Sequence, residues 1–439
     1  MIRRSLLACL LLAFAVSAGA EGPRILKSRA FEARLEQFTT VERGSTMPLK
    51  LFADATYDAV IEERQTDRRG NLVLRGHLAE YPGSWLVLIE RRGVLAGVVA
   101  TGERLFRVRY VGEGLHAIDE FDPRSLEPPG DDAMYPDLEG YVATGAVGSG
   151  QNTVAAPGIE RAAAGKSVID VLFLYTQKSA KKVLEKFWVD TNNAKEAIES
   201  QIELSVAVMS AAVKNSKVKA KVRLVGIEKI NGKGSGKLSK DIRALTNAGD
   251  GKFETAQPLR EQYGADFVVL VVAKDKEGFA GRGWQLPASD PSSPNLAYSV
   301  VVSGSLWWMT VAHEIGHNMG LGHDPSNDTL GPGARSYSYS QGFRNEAKGL
   351  ATLMAYTTGC AACWNTIPHY SNKKVKWRGR SQPSDPDLIQ PGCKGNEPIG
   401  GISFPVCGTK TGSNKANTAK SVNKTRNIFA KHRECKVDC

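Results

Sequence analysis

The sequence predicts two structured units in one chain of 439 residues, a small β-rich unit followed by a larger α/β unit. Up to about residue 142, short apolar runs recur between Gly, Pro and charged turns, which is typical of β-strands. After residue 166, strand-like runs alternate with helical periodicity. Between the two, residues 143–165 are rich in Gly, Ala, Ser, Gln and Asn, a composition that indicates a linker.

Four strand-like runs lie in the first unit. They are rich in β-branched and aromatic residues and cover residues 71–78, 85–89, 94–99 and 105–110. Short strands at such regular spacing favour a meander or a sandwich over βαβ units. No catalytic group of residues is found among them.

The second unit combines strands and helices. The strand-like runs cover residues 168–175, 218–230, 265–272 and 298–302. Helical patterns cover residues 178–214 (as one long or one broken helix), 239–248 and 306–319, and a closing helix is expected over 417–432. This alternation is the reason for predicting an α/β fold.

Residues 1–20 have the pattern of a secretory signal peptide. Arg3 and Arg4 precede an apolar run from Leu6 to Val16, and small residues follow up to Ala20. We therefore expect cleavage after Ala20 and an extracellular or periplasmic location. The run is too short to span a bilayer, and no later run reaches about 18 residues, so membrane insertion is not expected.

The cysteines are concentrated near the carboxyl end. Apart from Cys9 in the signal segment, the chain has Cys360, Cys363, Cys393, Cys407, Cys435 and Cys439. An even number in an exported chain indicates three disulfides, of undetermined connectivity. The alternative, a metal or redox site at the Cys-x-x-Cys pair, lacks a suitable partner motif.

One stretch carries the chemistry, and it reads His313-Glu314-x-x-His317-x-x-Gly320-x-x-His323-Asp324. Two histidines four apart lie on one face of a helix, where they can share one Zn²⁺. Gly320 permits a sharp turn out of the helix that returns His323 as a third ligand. Three protein ligands leave a fourth position for water, which is typical of a catalytic zinc.

Glu314 points to a sector beside the two helical histidines, where it can reach a metal-bound water rather than the metal. The alternative is a buried amphipathic helix with incidental histidines. The chain has only 7 His, so three of them in this register with Glu and Gly make coincidence a poor explanation.

Together with Leu353-Met354-Ala355-Tyr356, this motif resembles the metzincin clan of zinc endopeptidases. Asp324 after the third histidine resembles the reprolysin-like (adamalysin) branch, and bacterial secreted members, including peptidyl-Asp metalloendopeptidases, look most similar. The resemblance covers roughly residues 166–434. It implies a mixed twisted sheet, long helices, an active-site helix and an irregular disulfide-bonded carboxyl-terminal part.

The resemblance also implies roles for individual residues. One Zn²⁺ would be bound by the three histidines, with Glu314 as general base, Asp324 in a structural role and Met354 beneath the metal. Residues 298–302 would be the edge strand that pairs with substrate. The pocket for the side chain after the scissile bond would be lined by Pro368, Tyr370 and Ser371.

Tyr356 stands two residues after Met354, at the spacing where astacins and serralysins carry a tyrosine that contacts zinc. Such a phenol could bind zinc in the resting enzyme and then donate a hydrogen bond to the oxyanion. The alternative is a tyrosine packed in the core beneath the site.

Charge is divided unevenly between the two units. Residues 21–165 have a net charge of −5 and residues 166–439 have +14. This difference suggests electrostatic complementarity between an inhibitory propeptide and a catalytic domain, although both could simply be solvated surfaces.

A cysteine could not mask the metal in the precursor, because residues 21–359 contain none. A carboxylate is the expected alternative, and the sequence does not rank the candidates Asp119, Asp122, Asp131, Asp132 and Asp137.

Five basic residues follow the Met-turn, namely Lys373, Lys374, Lys376, Arg378 and Arg380. A cation in the pocket wall would favour an acidic side chain after the scissile bond. A solvated basic loop is the competing explanation.

The sequence thus predicts a secreted zinc endopeptidase, made as a zymogen of signal peptide (1–20), propeptide (21–165) and catalytic domain (166–439). Its partners would be protein or peptide substrates and its own propeptide, and no nucleic acid. The alternatives are a narrow-specificity protease or toxin acting on one target, and a non-catalytic binding protein. The presence of Glu314 argues against the last.

Overall fold

The computed structural model describes residues 23–126, 132–136, 167–184, 191–345, 350–357, 365–375 and 416–437. The predicted signal peptide, the linker 143–165 and all cysteines except Cys435 lie outside these ranges. Cleavage, the domain boundaries and the three disulfides therefore stay predictions. No helix in the described ranges is both long enough and apolar enough to cross a bilayer.

The amino-terminal unit is an eight-stranded antiparallel sheet in the order β1-β8-β7-β6-β5-β4-β3-β2. Its elements are β1 (Ile25–Glu32), α1 (Glu36–Thr40), β2 (Thr46–Phe52), β3 (Ala55–Thr66), β4 (Leu72–Leu78), β5 (Tyr81–Arg91), β6 (Val94–Ala100), β7 (Leu105–Gly112) and β8 (Leu115–Phe121). The four predicted strands correspond to β4, β5, β6 and β7. Of the two predicted arrangements, the strand order is that of a meander, with β1 added beside β8.

Both faces of strands β4 to β8 are buried, which explains their nearly continuous apolar runs, whereas β1, β2 and β3 expose one face. In β5, Leu86 and Leu88 point into a core shared with α1, the inner face. Trp85, Val87 and Ile89 point to the outer face and belong to the core of the following unit. The outer face packs mainly on the long helix at residues 194–215 of that unit.

The carboxyl-terminal unit is an α/β structure around a six-stranded mixed sheet. Its strands are β9 (Ala133–Met134), β10 (Ser167–Thr176), β11 (Ala220–Ile230), β12 (Phe267–Val272), β13 (Gly281–Trp284) and β14 (Tyr298–Val302), and a smaller sheet contains β15 (Arg344–Asn345), β16 (Leu350–Thr352) and β17 (Asn365–Ile367). Its helices are α2 (Gln177–Leu184), α3 (Ala194–Asn215), α4 (Leu238–Thr246), α5 (Ala256–Tyr263), α6 (Thr310–Asn318) and α7 (Thr418–Phe429).

The strand order of the mixed sheet is β11-β10-β12-β14-β13-β9. Strands β11, β10, β12 and β14 are parallel neighbours, and β13 is antiparallel to β14. The prediction that residues 298–302 form the edge strand is therefore wrong, since β14 is paired on both sides. Strand β13, which has no β-branched residue and was not predicted, lies outside it.

Several helices differ from their predicted bounds. The pattern over 178–214 corresponds to two helices, α2 and α3, which is the broken form of the prediction. The motif helix α6 begins at Thr310 rather than at residue 306, because residues 303–305 form a 3₁₀ turn. Helix α5 was not predicted.

Helix α3 joins the two units, since its buried residues and the outer face of the amino-terminal sheet share one hydrophobic core. Phe121 of β8 stacks on Trp307, just before α6, with ring centres 4.5 Å apart. This interface lies next to the helix that carries the first two histidines.

Candidate metal centre and active site

The three motif histidines converge as the spacing predicts. His313 and His317 lie on α6, and all three imidazoles are buried. The helix ends at Asn318, and two residues later Gly320 has a left-handed conformation (φ 68°) that a residue with a side chain rarely adopts. This turn directs the chain back so that His323 faces the two helical histidines.

Hydrogen bonds to the Nδ1 atoms fix the orientation of two imidazoles. Nδ1 of His313 lies 2.7 Å from the carbonyl oxygen of Leu353, and Nδ1 of His317 lies 2.9 Å from that of Leu321. A carbonyl can only accept, so both Nδ1 atoms carry the proton. Burial lowers the pKa of His317 to about 4, which keeps its ring neutral. Its Nε2 then presents a lone pair, as a metal ligand must.

A carboxylate from the amino-terminal half completes the group. Oδ1 of Asp132 lies 3.4, 3.1 and 3.0 Å from the Nε2 atoms of His313, His317 and His323 respectively. The ligand atoms of these four buried residues all lie within 4.8 Å of one another. This group suits a metal ion.

The distances within the group test that assignment. A tetrahedral zinc with bonds of about 2.0–2.1 Å separates its ligand atoms by about 3.3–3.4 Å. The three distances from Asp132, and the 3.1 Å between the Nε2 atoms of His313 and His323, are close to this value. The lone pair on Nε2 of neutral His317 and the carboxylate of Asp132, 3.1 Å apart, repel unless a cation lies between them, so the residues fit the metal.

Strand β9 places Asp132 at this point. Ala133 and Met134 pair in parallel with Gly283 and Trp284 of β13. The backbone N–H of Gln285 donates to the carbonyl oxygen of Met134 at 2.7 Å. The segment 132–136 thus occupies the free edge of the mixed sheet, where an extended peptide could add a strand.

Glu314 lies fully buried on α6, one residue after the first histidine. Its carboxylate packs against the backbone of β13, where a Cβ added to Gly281 would lie 2.5 Å from Oε1. Any side chain at position 281 would therefore displace the carboxylate. The missing Cβ atom at Gly281 gives Glu314 its place beside the histidines.

Residues 353–356 form the floor of the site. Met354 is fully buried beneath α6. The ring of Tyr356 lies 4.2 Å from that of His323 and is nearly parallel to that of His313, with ring centres 5.7 Å apart. The Tyr356 hydroxyl accepts the backbone N–H of Asp132 at 3.1 Å. Burial, followed by the charge of Asp132, raises the pKa of Tyr356 well above its ordinary value, so the phenol stays protonated.

Asp324 has the structural role that its position implies. It is buried, and its Oδ2 accepts the backbone N–H of Tyr356 at 3.1 Å. The side-chain amide of Asn327 donates to the same carboxylate at 2.9 Å. Asp324 thereby connects the third histidine to the 353–356 segment.

A cleft lies beside Glu314 and is lined from both units. One side consists of residues 280, 308–310, 313–314, 353, 355–357 and 366, and the other of residues 100, 102, 104–105, 123, 126 and 132. The predicted pocket residues Pro368, Tyr370 and Ser371 are buried and do not line it. The Tyr370 hydroxyl instead donates to the carbonyl oxygen of Ala312 at 2.8 Å, so it supports α6 from below.

The predicted basic pocket wall is only partly described. Lys376, Arg378 and Arg380 lie outside the described residues, and Lys373 and Lys374 do not line the cleft. The segment that carries both described lysines runs beside α7 instead, where the N–H of Ala419 donates to the carbonyl oxygen of Ser371 at 3.0 Å.

The chain is similar in sequence to known metallopeptidases. Residues 165–368 match the family model Reprolysin_5, metallo-peptidase family M12. This chain resembles the metzincin zinc endopeptidases. The resemblance predicted from the motif is thereby confirmed, and a metallopeptidase α/β fold is supported for the carboxyl-terminal unit.

Two relatives carry the name peptidyl-Asp metalloendopeptidase. The protein of Stenotrophomonas maltophilia (strain R551-3) is 27% identical over 307 residues, which cover 68% of this chain and 65% of the relative. The protein of Pseudomonas aeruginosa is 28% identical over 227 residues, 47% of this chain and 34% of the relative. This chain therefore spans less than two thirds of either relative's length.

A solved structure, metalloproteinase-II from Bacteroides fragilis, aligns with a TM-score of 0.40 and 11% identity, over 72% of this chain and 84% of that one.

Three residues of this metzincin-like site were missed by sequence reasoning. Gly281 makes room for Glu314, and the Gln285 side chain accepts from Nδ1 of His317 at 3.0 Å. Asn318 donates to the carbonyl oxygens of Trp284 and Tyr298, which ties α6 to β13 and β14. The alternating glycines of Gly-Arg-Gly-Trp were the available signal for a strand closely approached by another chain segment.

Proposed function

We propose that this protein is a zinc-dependent endopeptidase that is made as a latent precursor. The observation that carries the proposal is the buried group of three imidazoles and one carboxylate around a single point, with Glu314 beside it. The metallopeptidase family matched by residues 165–368 supports the same reaction class. The Glu314 side chain argues for turnover rather than for binding alone.

The metal would be held by the Nε2 atoms of His313, His317 and His323. Three nitrogen ligands and one exchangeable position are the donor set of a catalytic zinc. When bound, zinc polarises the scissile carbonyl and makes water a better nucleophile at neutral pH. Gln285 and the backbone carbonyl groups at Nδ1 hold the rings in the orientation that this binding requires.

Glu314 would move the proton. One of its carboxylate oxygens takes a proton from the attacking water, and the same group delivers it to the leaving amine. Its burial against β13 keeps it close to the reacting centre and excludes bulk water. A positioned acid–base group of this type typically contributes about 10²–10⁴ in rate.

The Tyr356 hydroxyl would act at a later point. In the latent form it accepts the N–H of Asp132. Once segment 132–136 leaves, the protonated phenol would be available to donate to the oxyanion of the substrate.

Segment 132–136 would keep the precursor inactive in two ways. Asp132 occupies the position that water or substrate needs, and β9 covers the sheet edge that would bind an extended peptide. The structure describes three of the five candidate aspartates, Asp119, Asp122 and Asp132, and of these Asp132 is the one beside the histidines. Asp131 and Asp137 lie outside the described residues. We infer that cleavage within the linker, between residues 143 and 166, is the maturation step.

Substitution of Asp132 by alanine tests both the activity and the latency. The uncleaved full-length variant should hydrolyse a protein substrate, whereas the wild-type precursor should not until it is cleaved. Asp122→Ala is the matched control, since Asp122 pairs with Arg24 at 2.7 Å, away from the histidines. The Asp122→Ala precursor should stay as inactive as the wild type, and the activity of the Asp132→Ala variant should disappear with a chelator and return with Zn²⁺.

Two outcomes contradict the proposal. A wild-type precursor that is fully active without cleavage would remove the latency, and an absence of hydrolysis in every form at saturating Zn²⁺ would remove the activity.

A preference for an acidic residue after the scissile bond is the proposed specificity. It is supported by the name of the two relatives and by the excess of basic residues in 166–439. Cleavage sites in a denatured protein mixture measure it directly. An even distribution of residues after the cleaved bonds would contradict it.

Export and disulfide formation complete the proposed life of the protein. They rest on the signal-like residues 1–20 and on six cysteines near the carboxyl end. Amino-terminal sequencing of the secreted form, with mass spectrometry of unreduced peptides, tests both. A mature chain that retained residues 1–20, or free thiols throughout, would contradict them.

A further inference from the structure

Two tyrosines and two lysines form an ordered surface cluster where the turn 337–340 meets α7. The rings of Tyr337 and Tyr339 stack in parallel, with centres 5.1 Å apart. Nζ of Lys420 lies 4.5 Å from the centre of the Tyr339 ring, and Nζ of Lys424 lies 4.9 Å from that of Tyr337. Since an aromatic face attracts a cation, the rings hold the two ammonium groups of this lysine–tyrosine cluster in place.

The backbone beneath the cluster is well fixed. The N–H of Asn417, at the start of α7, donates to the carbonyl oxygen of Tyr339 at 2.8 Å. The hydroxyl of Ser340 donates to that of Ser421 at 2.7 Å, and both are buried. The turn and the helix therefore present the four side chains as one surface.

The cluster concentrates positive charge without a counter-charge. Lys420 and Lys424 are four apart on α7, where like charges repel. Lys373 and Lys374 follow Ser371, whose carbonyl oxygen accepts the N–H of Ala419 on α7 at 3.0 Å, so they lie beside the start of this helix. Burial, and then the charges of Lys424, Lys373 and Lys374, lower the pKa of Lys420. Among the residues that the structure describes, none of the four forms an ion pair.

The surrounding sequence offers no acid either. Residues 331–345, 365–375 and 416–433, which build this surface, contain no Asp or Glu. Repulsion that the described part of the chain leaves uncompensated suits a surface that binds an anion from outside.

The cluster is also tied to the metal centre. The N–H of Gly322 donates to the carbonyl oxygen of Ser340 at 2.8 Å, and the N–H of Gly342 donates to that of His323 at 3.2 Å. The segment that carries Tyr337 and Tyr339 thus runs beside the third histidine. A long polypeptide bound at the metal centre could reach this surface.

The aromatic faces indicate which kind of anion fits. Single-stranded nucleic acid binds through bases that stack on open aromatic faces. Here each tyrosine ring is already in contact with the other ring and with a lysine ammonium group, so little aromatic surface is left for a base to stack on. Carboxylates need only the ammonium groups, which remain exposed at Lys420 and Lys424.

We propose that the lysine–tyrosine cluster, with Lys373 and Lys374, is a binding surface for acidic segments of protein substrates, separate from the cleft beside Glu314. That the bound segments belong to substrates rests on the proposed peptidase function. An acidic segment held there would raise the local concentration of the rest of the polypeptide at the cleft.

Binding to the full-length chain tests the surface independently of hydrolysis. The probe is a fluorescent oligo-D-glutamate peptide, which a peptidase for L-residues does not cleave, and the readout is fluorescence anisotropy. The double substitution Lys420→Gln/Lys424→Gln should weaken binding about two- to thirtyfold, as expected for the loss of two exposed ion pairs. Lys420→Arg/Lys424→Arg should retain binding, and Lys431→Gln, an exposed lysine just after α7, is the matched control.

Two results would overturn the proposal. One is equal binding by the glutamine double variant and the Lys431 control when both unfold at the wild-type temperature. The other is tighter binding of a single-stranded oligonucleotide of the same charge, which would make the surface a nucleic-acid site.

A kinetic measurement then separates this inference from the proposed function. Two substrates with the same cleavage sequence, one with an added acidic tail, are compared in the active form. The double variant should raise KM about two- to thirtyfold for the tailed substrate only, with kcat unchanged. If neither substrate is cleaved but the D-peptide binds, the proposed function fails and the anion-binding surface remains.

Discussion

The amino-terminal half touches the metallopeptidase unit in two places that differ in kind. Along α3 it makes a broad interface of apolar side chains and charged pairs, whereas at the three histidines it contributes the short segment 132–136. The first contact contains no group of the reaction. The second places one carboxylate among the three histidines.

The broad interface has the composition of a domain core. The rings of Trp85 and Trp308 are in tilted contact, with centres 5.5 Å apart, and Phe121 stacks on Trp307. Arg69 and Arg91 both reach Glu203 of α3, at 3.1 and 2.7 Å. Burial of this apolar surface is the main source of its stability.

The difference teaches that strength of attachment and proposed inhibition are located in different residues. Cleavage of the chain in the linker, between segment 132–136 and the α/β unit, would leave the broad interface in place. Conversely, a single side chain at position 132 could release the metal centre and leave the interface intact. Substitutions in each region should therefore have separate effects.

The largest expected effect is that of Glu314→Gln at the cleft. The substitution replaces the carboxylate that carries the proton by an amide, so kcat should fall about 10²–10⁴-fold in the active form. Zinc content and the unfolding midpoint should match the wild type, because no ligand and no interface residue changes. Near-normal turnover in this variant would refute the proposed role, and metal loss would make Glu314 a ligand instead.

Tyr356→Phe should have the next largest effect. Loss of one oxyanion donor typically costs about 10²–10³ in kcat. The ring would still stack on His323, so zinc affinity and stability should change little. In the precursor, the variant also loses the hydrogen bond from the N–H of Asp132, so segment 132–136 should be bound slightly less tightly.

Steady-state kinetics of the active form and a zinc titration measure both parts of the Tyr356 prediction. An almost unaltered kcat would leave Tyr356 with a packing role only, which is the alternative that the sequence left open.

The sequence predicted the parts of this site that are local in the chain. The histidines, Glu314 and Gly320 lie within eleven residues of one another, and helical periodicity and one turn determine their arrangement. The strands β10, β12 and β14 were equally readable, since buried parallel strands are continuous apolar runs.

The contacts that the sequence did not predict are those between distant segments. Asp132 is about 180 residues from the histidines, so spacing alone could not separate it from four other aspartates. Strand β13 was missed because Gly281 and Gly283 replace the β-branched residues that mark strands. Both glycines are required by the closeness of Glu314, which only the folded arrangement reveals.

Glu203→Gln tests the broad interface. Glu203 is buried and pairs with two arginines that are about a quarter exposed, at 27% and 25% of their side chains. Removing its charge leaves both arginines without their partner, at a cost of about 1–3 kcal/mol, less than for a fully buried pair because they can rehydrate.

The measurement for Glu203→Gln is urea unfolding of the full-length chain followed by tryptophan emission, since Trp85, Trp307 and Trp308 lie at this interface. Glu196→Gln, an exposed acid on the first turn of α3, is the control. If both variants unfold at the same urea concentration, the charged contact to Glu203 contributes nothing to the attachment.

Lys214→Met should have the smallest effect, although its ion pair joins the same two units. Nζ of Lys214 lies 2.8 Å from Oε2 of Glu63, but 60% of its side chain is exposed. Glu63 also keeps Arg75 as a partner at 2.9 Å, so no charge is left unpaired. An exposed pair contributes about 0.2–1 kcal/mol, and salt screens it. The same unfolding measurement should therefore show a small shift that vanishes at high salt, with Lys195→Met on the exposed side of α3 as the control. A shift as large as that of Glu203→Gln would mean that surface charge, rather than buried contacts, holds the amino-terminal half in place.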